Sequence, residues 1–405
     1  MKTKQTFLGE KGTLIFLVMI SAFPPLSTDL YLPALPQMVE NFATNEAMVN
    51  MTLSIYFITY AIGLLFWGPL SEKYGRKPIM MAGFGFYIVT SILCALSANI
   101  EQLIMARMLQ AVGGSAVTVV ATSIVKDLYD GREREKIMAT IMSLVVIAPM
   151  VAPVLGAFLL KIASWRMVFV ALAIFGSICA VVALFFQETL EKKYEGSMIS
   201  SWSRLGVVLK NPRFVSLLGI FSLGPMTMMA FLASSSYIYI NGFGLSEQEF
   251  SYIFAFNALF ATMGPMLYIK LSKYVSVQSI ISGAFVLLVC CGVILITVGH
   301  VSPFLFAIVV APATMTVITM RIPGANLMLE QQERDTGSAA ALMQFFGMTM
   351  GSLGMFLVSI DSENLIRSLG TMQIVVGLTA GGLWLLVRNR PFVNDNITQP
   401  EPKTS

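Results

Sequence analysis

The sequence predicts an all-α polytopic membrane protein, with twelve transmembrane helices in two pseudo-symmetric six-helix bundles. Three observations predict this fold class: an apolar composition, twelve apolar runs of spanning length, and an alternating distribution of Lys and Arg. Of 405 residues, 56% are hydrophobic and only 12% are charged, with a mean hydropathy of +0.77. Soluble domains carry about 25% charged residues. So few charges cannot cover a water-facing surface, so most of the surface must face lipid, and no nucleic-acid partner is expected.

The apolar runs set the number of spans, because a bilayer core of about 30 Å needs about 20 helical residues. The predicted spans lie near 14–36, 49–69, 79–98, 102–123, 137–160, 166–187, 214–240, 250–269, 277–298, 302–322, 337–358 and 368–388. The predicted domains are an N-terminal six-helix bundle (1–187), a polar cytoplasmic linker (188–213), a C-terminal six-helix bundle (214–390) and a cytoplasmic tail (391–405). Six spans on each side of a linker indicate two halves related by duplication.

The basic residues predict the orientation in the membrane. Of 26 Lys and Arg residues, only Lys161, Arg166 and Arg367 fall in the odd-numbered loops, and Arg107 lies within a span. The others lie in the tails, the linker and the even-numbered loops. By the positive-inside rule both termini are cytoplasmic, and we expect a multi-pass protein of the bacterial inner membrane that functions as a monomer.

The cysteines and the histidine do not predict a metal site or a cofactor. All four cysteines fall inside apolar runs without ligand or disulfide spacing, and His300 has no Cys, His or carboxylate nearby in the sequence. The cysteines read as small packing residues.

The loop after span 2 has the most specific pattern in the chain. It runs Gly68-Pro-Leu-Ser-Glu72-Lys-Tyr-Gly75-Arg76-Lys77. A positive-inside loop with turn glycines explains its Lys and Arg but not their ordered arrangement. The pattern resembles the signature loop of the major facilitator superfamily, with Glu72 where that family usually has Asp.

The resemblance implies a cytoplasmic latch between the two halves. Arg76 would pair with Asp127 at the end of span 4. Glu72 would lie near the N-terminus of span 11, around Thr336 and Gly337, where a helix dipole favours negative charge.

Span 4 carries an arginine and a glutamine on one helical face, Arg107 and Gln110, together with Gly114. The arginine could simply extend to the lipid headgroups. The Arg-x-x-Gln-x-x-Gly string resembles a motif of the same superfamily that is associated with proton coupling.

Span 5 carries a stripe of Pro149, Pro153 and Gly156. Small residues let helices approach closely in lipid and prolines bend them, so general packing is one explanation. The string is also similar to the antiporter motif that marks exporters of the superfamily, although Ala148 stands where Gly is usual. This similarity favours an exporter over an importer.

Span 1 contains a single acid, Asp29, in the outer half of the predicted helix. A carboxylate inside a membrane is costly unless it is paired or protonated, so it is either functional or part of a structural ion pair or interfacial anchor. The segment from Ser27 to Pro36, with the span 5 motif and Ser164-Trp165-Arg166, resembles the Bcr/CflA (bicyclomycin-resistance-like) branch of twelve-helix drug:proton antiporters. The resemblance covers residues 27–170 closely and the second half only loosely.

The second half is rich in methionine and aromatic residues, which suit adaptable binding surfaces but also serve as lipid-facing side chains. The residues predicted to line a substrate cavity are Tyr31, Phe231, Tyr237, Phe254 and Asn257. Arg321, at the cytoplasmic end of span 10, matches no motif.

These features predict a proton-coupled antiporter that exports lipophilic, drug-like small molecules by alternating access, with Asp29, Arg107 and Gln110 in proton coupling. No Gly-x-x-x-x-Gly-Lys-[Ser/Thr] loop for ATP occurs, so an ion gradient would drive transport. A dedicated exporter of one metabolite (a siderophore, amino acid or sugar) and a nutrient importer remain open alternatives. A membrane enzyme would need convergent His, Ser or carboxylate groups that the spans lack.

Overall fold

The computed structural model of the chain describes residues 5–145, 147–190, 193, 198–332 and 335–394. Eleven helical segments in this part of the chain are long and apolar enough to cross a membrane, and two shorter helices take the place of predicted span 5. The spans are Gly9–Asn41 (1), Glu46–Tyr74 (2), Arg76–Leu96 (3), Ile100–Leu128 (4), Gly131–Val145 with Ala148–Ile162 (5), Arg166–Leu184 (6), Pro212–Gly242 (7), Glu247–Leu271 (8), Val277–Val298 (9), Pro303–Leu329 (10), Thr336–Val358 (11) and Leu365–Val387 (12). The predicted fold class is confirmed.

Capping residues start several of these helices. The side-chain oxygens of Asn45 and Asn99 accept hydrogen bonds from the third residue beyond them, Met48 N (2.9 Å) and Gln102 N (2.8 Å). Ser302 does the same for span 10. These caps satisfy backbone donors that a helix leaves unpaired at its first turn.

Span 1 is longer than the predicted run and is broken. Helices Gly9–Ser21 and Phe23–Asp29 are followed by a 3₁₀ turn, Leu32–Ala34, and a last helix, Leu35–Asn41. Pro33 and Pro36 lack the N–H groups that an α-helix would need there, so the regular helix ends at Asp29.

Span 7 is segmented, and two short α-helices of the described chain lie outside the spans. Span 7 consists of Pro212–Phe221, Gly224–Ser236 and a π-helical end, Tyr237–Gly242. A short helix, Met198–Leu209, lies within the predicted linker, and Pro391–Asn394 follows span 12.

The described residues fall into two compact units, Met1–Ser201 with Ser235–Phe256 and Trp202–Ser234 with Asn257–Ser405. The predicted boundaries at 187 and 214 differ from this division mainly at the junction of spans 7 and 8. Residues 235–256 group with the first unit because side chains at the start of span 8 bond to span 5. The division into two six-helix halves stays a prediction.

Glycines bring spans 3 and 4 into backbone contact within the first unit. A Cβ added at Gly113 would lie 2.6 Å from Tyr87 N and 2.7 Å from Gly83 O, and one at Gly83 would lie 3.1 Å from Gly113 O. Only glycine permits this approach, which is a common way of packing helices in lipid.

The core of the second unit is aromatic and aliphatic. Trp384 of span 12 is fully buried against Phe221, with ring centroids 5.9 Å apart, and its indole N–H donates to Ser282 Oγ at 3.1 Å. On the outside of the spans, large apolar side chains such as Met266 and Leu386 are more than two-thirds exposed, as expected for lipid-facing surface.

Candidate functional site

The turn between spans 2 and 3 holds a network of charged and polar groups. Gly75 adopts φ +110° and ends span 2, and span 3 begins at the next residue. The Arg76 guanidinium is buried; its Nε donates to Asp127 Oδ2 at 2.8 Å and its Nη1 donates to Ser71 Oγ at 2.7 Å. Ser71 Oγ in turn donates to the Gly68 carbonyl at 2.8 Å.

Glu188, just after span 6, completes this network and was not predicted. Its Oε1 accepts from Arg76 N and its Oε2 from Lys77 N, both at 3.0 Å. The carboxylate therefore caps the N-terminus of span 3, where the helix dipole favours negative charge. Nearby, Thr189 Oγ1 donates to Asp127 Oδ2 at 3.3 Å.

Lys77 and Glu72 were also predicted to belong to the latch, and the structure places them in different surroundings. Lys77 Nζ donates to the Leu184 carbonyl at 2.8 Å, so this lysine also ties span 3 to the end of span 6. Glu72 is exposed. Its expected position beside Thr336 and Gly337 stays a prediction.

Asp29 is buried at the last helical residue before the break in span 1, and it is 5% exposed. Its Oδ1 accepts a hydrogen bond from the adjacent Thr28 hydroxyl at 3.0 Å. No ion pair joins it to Arg107 among the described residues. A buried carboxylate without a cation at hydrogen-bonding distance is suited to exist in its neutral form and to bind a proton.

The antiporter motif of span 5 lies directly against this break. A Cβ at Gly156 would come within 2.1 Å of the Leu30 carbonyl oxygen, so only glycine allows the two helices this close. Pro149 lies in the first turn of helix Ala148–Ile162, and Pro153 lies inside it. The motif thus positions span 5 beside the residue that follows Asp29.

Span 5 also binds the start of span 8 inside the first unit. Ser251 Oγ donates to the Pro153 carbonyl at 2.9 Å, and Gln248 Nε2 donates to the Ala157 carbonyl at 3.0 Å. Gln37, in the last helix of span 1, donates to Glu247 at 3.1 Å. The motif is therefore held on one side by span 1 and on another by span 8.

Arg107 is completely buried among aromatic rings. Its Cζ lies 4.2 Å from the ring centroid of Tyr56, 5.1 Å from that of Tyr31 and 5.7 Å from that of Phe169. Cation–π attraction of this kind is strongest where water is excluded. The arginine therefore faces the interior, and its side chain does not extend to the headgroups.

Gln110 connects Arg107 to span 3. Arg107 Nη1 donates to Gln110 Oε1 at 2.5 Å, and Gln110 Nε2 donates to Ser91 Oγ at 2.7 Å. Ser91 Oγ donates onward to the Tyr87 carbonyl at 2.7 Å. This chain of bonds fixes the rotamers of both predicted proton-coupling residues of span 4.

Two hydroxyl pairs beside Asp29 were missed from the sequence. Ser27 Oγ lies 2.5 Å from Tyr87 OH, and Tyr31 OH lies 2.8 Å from Thr52 Oγ1. They tie the broken part of span 1 to spans 3 and 2. In the sequence these residues stand out only as polar groups inside apolar runs. Such a pattern does not show which residues bond to each other.

The residues predicted to line a substrate cavity are distributed between the two units. Tyr31, Tyr237 and Phe254 belong to the first unit, and Phe231 and Asn257 belong to the second. All five side chains are buried. The Phe231 ring packs 6.4 Å from that of Phe306, and the Phe254 ring 5.7 Å from that of Phe250.

Comparison with known protein families decides the class of the molecule. The family model described as Major Facilitator Superfamily matches residues 15–355. The chain belongs to this superfamily. It is therefore a transporter rather than an enzyme, and it is a multi-pass membrane protein that acts on small-molecule substrates.

Named relatives agree with the predicted resemblance. The chain is 29% identical over 378 residues to the "Uncharacterized MFS-type transporter YdgK" of Bacillus subtilis, covering 91% of this chain and 94% of the relative. It is 27% identical to a bicyclomycin resistance protein homolog of Haemophilus influenzae, over 61% of this chain and 64% of the relative. It is 31% identical to a chloramphenicol resistance protein of Pseudomonas aeruginosa, over 61% of this chain and 59% of the relative. The predicted family is confirmed.

Solved structures share the fold of this superfamily member. A bacterial homolog of the human lysosomal transporter Spinster, in an inward-facing and unoccupied conformation, matches with a TM-score of 0.75 at 14% identity, covering 96% of this chain and 99% of that one. A peptide transporter POT in complex with sulfate also gives a TM-score of 0.75, at 13% identity over 98% of this chain and all of that one.

Proposed function

We propose that the protein is a proton-coupled antiporter that exports lipophilic, drug-like small molecules across the bacterial inner membrane by alternating access. The observation that carries the proposal is the position of Asp29. It is a buried carboxylate at the break of span 1, and Gly156 of the exporter-type motif packs against the next residue. Relatives named for bicyclomycin and chloramphenicol resistance support the class of substrate.

In this mechanism Asp29 binds a proton from the outer side and releases it to the cytoplasm as access alternates. Arg107 supplies a fixed positive charge and Gln110 an amide, and both are buried in the first unit, as Asp29 is. They stabilise the unprotonated carboxylate when span 1 moves toward them, which couples the proton to movement. Lipophilic substrate is bound on the buried aromatic and amide residues Tyr31, Phe231, Tyr237, Phe254 and Asn257.

In this proposal the cytoplasmic latch consists of the residues predicted from the signature loop and its partner: Gly68, Glu72, Gly75, Arg76, Lys77 and Asp127. It holds the two predicted halves, 1–187 and 214–390, together on the cytoplasmic side when the transporter faces outward. Both termini are cytoplasmic, in accord with the Lys and Arg distribution. We expect a monomer to be the working unit.

The proposal is tested by efflux from everted membrane vesicles that contain the protein. A fluorescent lipophilic drug should accumulate in the vesicles when respiration sets up a proton gradient, and an uncoupler should abolish the accumulation. Transport that persists without the gradient but requires ATP would contradict proton coupling. Transport confined to one metabolite in a substrate screen would favour the dedicated exporter.

A further inference from the structure

Arg321 of span 10 is an ionic residue inside a membrane span that the proposed mechanism does not use. Along the helix axis, Arg321 lies about 12 Å from the end of span 10 at Leu329. Gln344 lies about 12 Å from the start of span 11 at Thr336. The Arg321 Nη2 donates to Gln344 Oε1 at 3.2 Å. An ionic residue within a membrane span is usually functional.

Helical geometry shows that this pair faces away from lipid. At about 100° per residue, Arg321 lies about 140° around span 10 from Ile308, and Gln344 lies about 180° around span 11 from Leu353. Ile308 is 60% exposed and Leu353 is 42% exposed, as expected of lipid-facing residues. The two polar side chains therefore point to the inner face of the second unit.

The inner face is accessible where the pair lies. Arg321 is exposed and Gln344 is half-buried, as is Met348 one turn farther along span 11. At the next turn the face is closed, since a Cβ at Gly351 would lie 2.7 Å from Met229 Cγ. The accessible part of the face therefore combines a cation, an amide and an adaptable apolar side chain.

Among the residues that the structure describes, Arg321 has no counter-ion. No carboxylate lies within ion-pair distance of the guanidinium in that part of the chain. The Gln344 side chain accepts from only one of the guanidinium N–H donors. A guanidinium offers five N–H donors in a planar fork that matches a carboxylate with two parallel bonds. In a span, such a cation favours an anionic ligand strongly.

We propose that Arg321 and Gln344 bind the anionic group of the transported molecule, so that the substrates are lipophilic compounds carrying a carboxylate. The carboxylate accepts from the guanidinium and from the Gln344 amide, while the apolar body lies against Met348. This inference rests on the proposed function, because it names the chemical class of the exporter's substrate.

The test compares three naphthalene probes that differ in charge: 2-naphthylacetate, its uncharged methyl ester and the cation 2-naphthylmethylamine. Binding to the full-length protein in detergent is measured by calorimetry for the wild type and for Arg321→Gln, Arg321→Lys and Arg390→Gln. Arg390 is an exposed residue after span 12, so its variant removes one positive charge elsewhere in the same unit.

We expect the wild type to prefer the carboxylate, and Arg321→Gln to weaken carboxylate binding about 10- to 100-fold while leaving the ester unchanged. Arg321→Lys should retain part of the preference, and Arg390→Gln should retain all of it. Equal losses for carboxylate and ester in Arg321→Gln, or a wild type that does not prefer the carboxylate, overturn the inference.

The assay needs no gradient and no transport, so it separates this inference from the proposed function. A wild-type protein that shows no carboxylate preference but still carries out proton-driven efflux overturns only the role of Arg321. Carboxylate preference in a protein that fails to drive efflux overturns only the export mechanism.

Discussion

Gly75 and Glu188 are in contact at the turn between spans 2 and 3: a Cβ at Gly75 would lie 2.6 Å from Glu188 Oε2. The absence of a side chain at Gly75 lets the carboxylate reach the backbone N–H groups of Arg76 and Lys77. The glycine of the signature loop therefore has two roles, since it also adopts φ +110°.

Gly75→Ala should destabilise the protein by about 1–3 kcal/mol, because alanine is strained at this φ and displaces the Glu188 carboxylate. The apparent melting temperature of the purified protein in detergent measures the effect. Gly85→Ala is the matched control, since Gly85 lies in span 3 with nothing within 4 Å of an added Cβ. Equal melting temperatures for the two variants would contradict the role of Gly75.

Glu188→Gln should also lower the melting temperature, by the equivalent of about 1–3 kcal/mol. An amide has only one acceptor oxygen, so either Arg76 N or Lys77 N loses its partner, and the helix N-terminus loses its negative charge. Glu363→Gln, at an exposed position between spans 11 and 12, is the control. A Glu188→Gln protein as stable as this control would show that the cap contributes nothing.

Arg76→Ala should leave the protein inserted but reduce turnover about tenfold or more, because the half-buried Asp127 loses its ion-pair partner. Exchanging the charges, with Arg76→Asp and Asp127→Arg together, should recover part of the activity. Recovery is incomplete because Ser71 and Thr189 are placed for the original orientation. Normal transport by Arg76→Ala at equal expression would reduce the loop to a topology signal.

Asp29→Asn should abolish uphill export while sparing substrate binding, because asparagine resembles the protonated acid and cannot release a proton. Asp29→Glu keeps a titratable group and should retain part of the activity. The measurement is proton release from purified protein on substrate addition, with the exposed Asp361→Asn as the control. If Asp29→Asn still releases protons and still confers efflux, the coupling site lies elsewhere.

Gly156→Ala should impair export more than binding, because a Cβ there would collide with the Leu30 carbonyl and push span 5 away from the break after Asp29. Gly283→Ala in span 9 is the matched control, since an added Cβ at that position meets nothing within 4 Å. Efflux from vesicles at equal protein levels compares the two. Full activity of Gly156→Ala would contradict the coupling of the span 5 motif to span 1.

The sequence predicted the fold class because hydropathy, span length and basic loops each report on the same physical constraint, the bilayer. It also identified Asp29 and Arg107, since ionic groups inside apolar runs are conspicuous. It could not identify Glu188, which is one of several acids at the start of the linker and is distinguished only by the N–H groups that it reaches in the fold. The break in span 1 was not predicted either, because hydropathy does not report where a helix is interrupted.

The backbone contact between Gly83 and Gly113 makes spans 3 and 4 a stiff pair. Neither helix can slide or tilt against the other without forcing main chain into main chain. Bending within the first unit therefore falls more readily on span 1, whose regular helix ends at Asp29. Arg107 belongs to the rigid pair of spans 3 and 4, and Asp29 belongs to span 1. Bending of span 1 therefore changes the distance between the Arg107 guanidinium and the Asp29 carboxyl group.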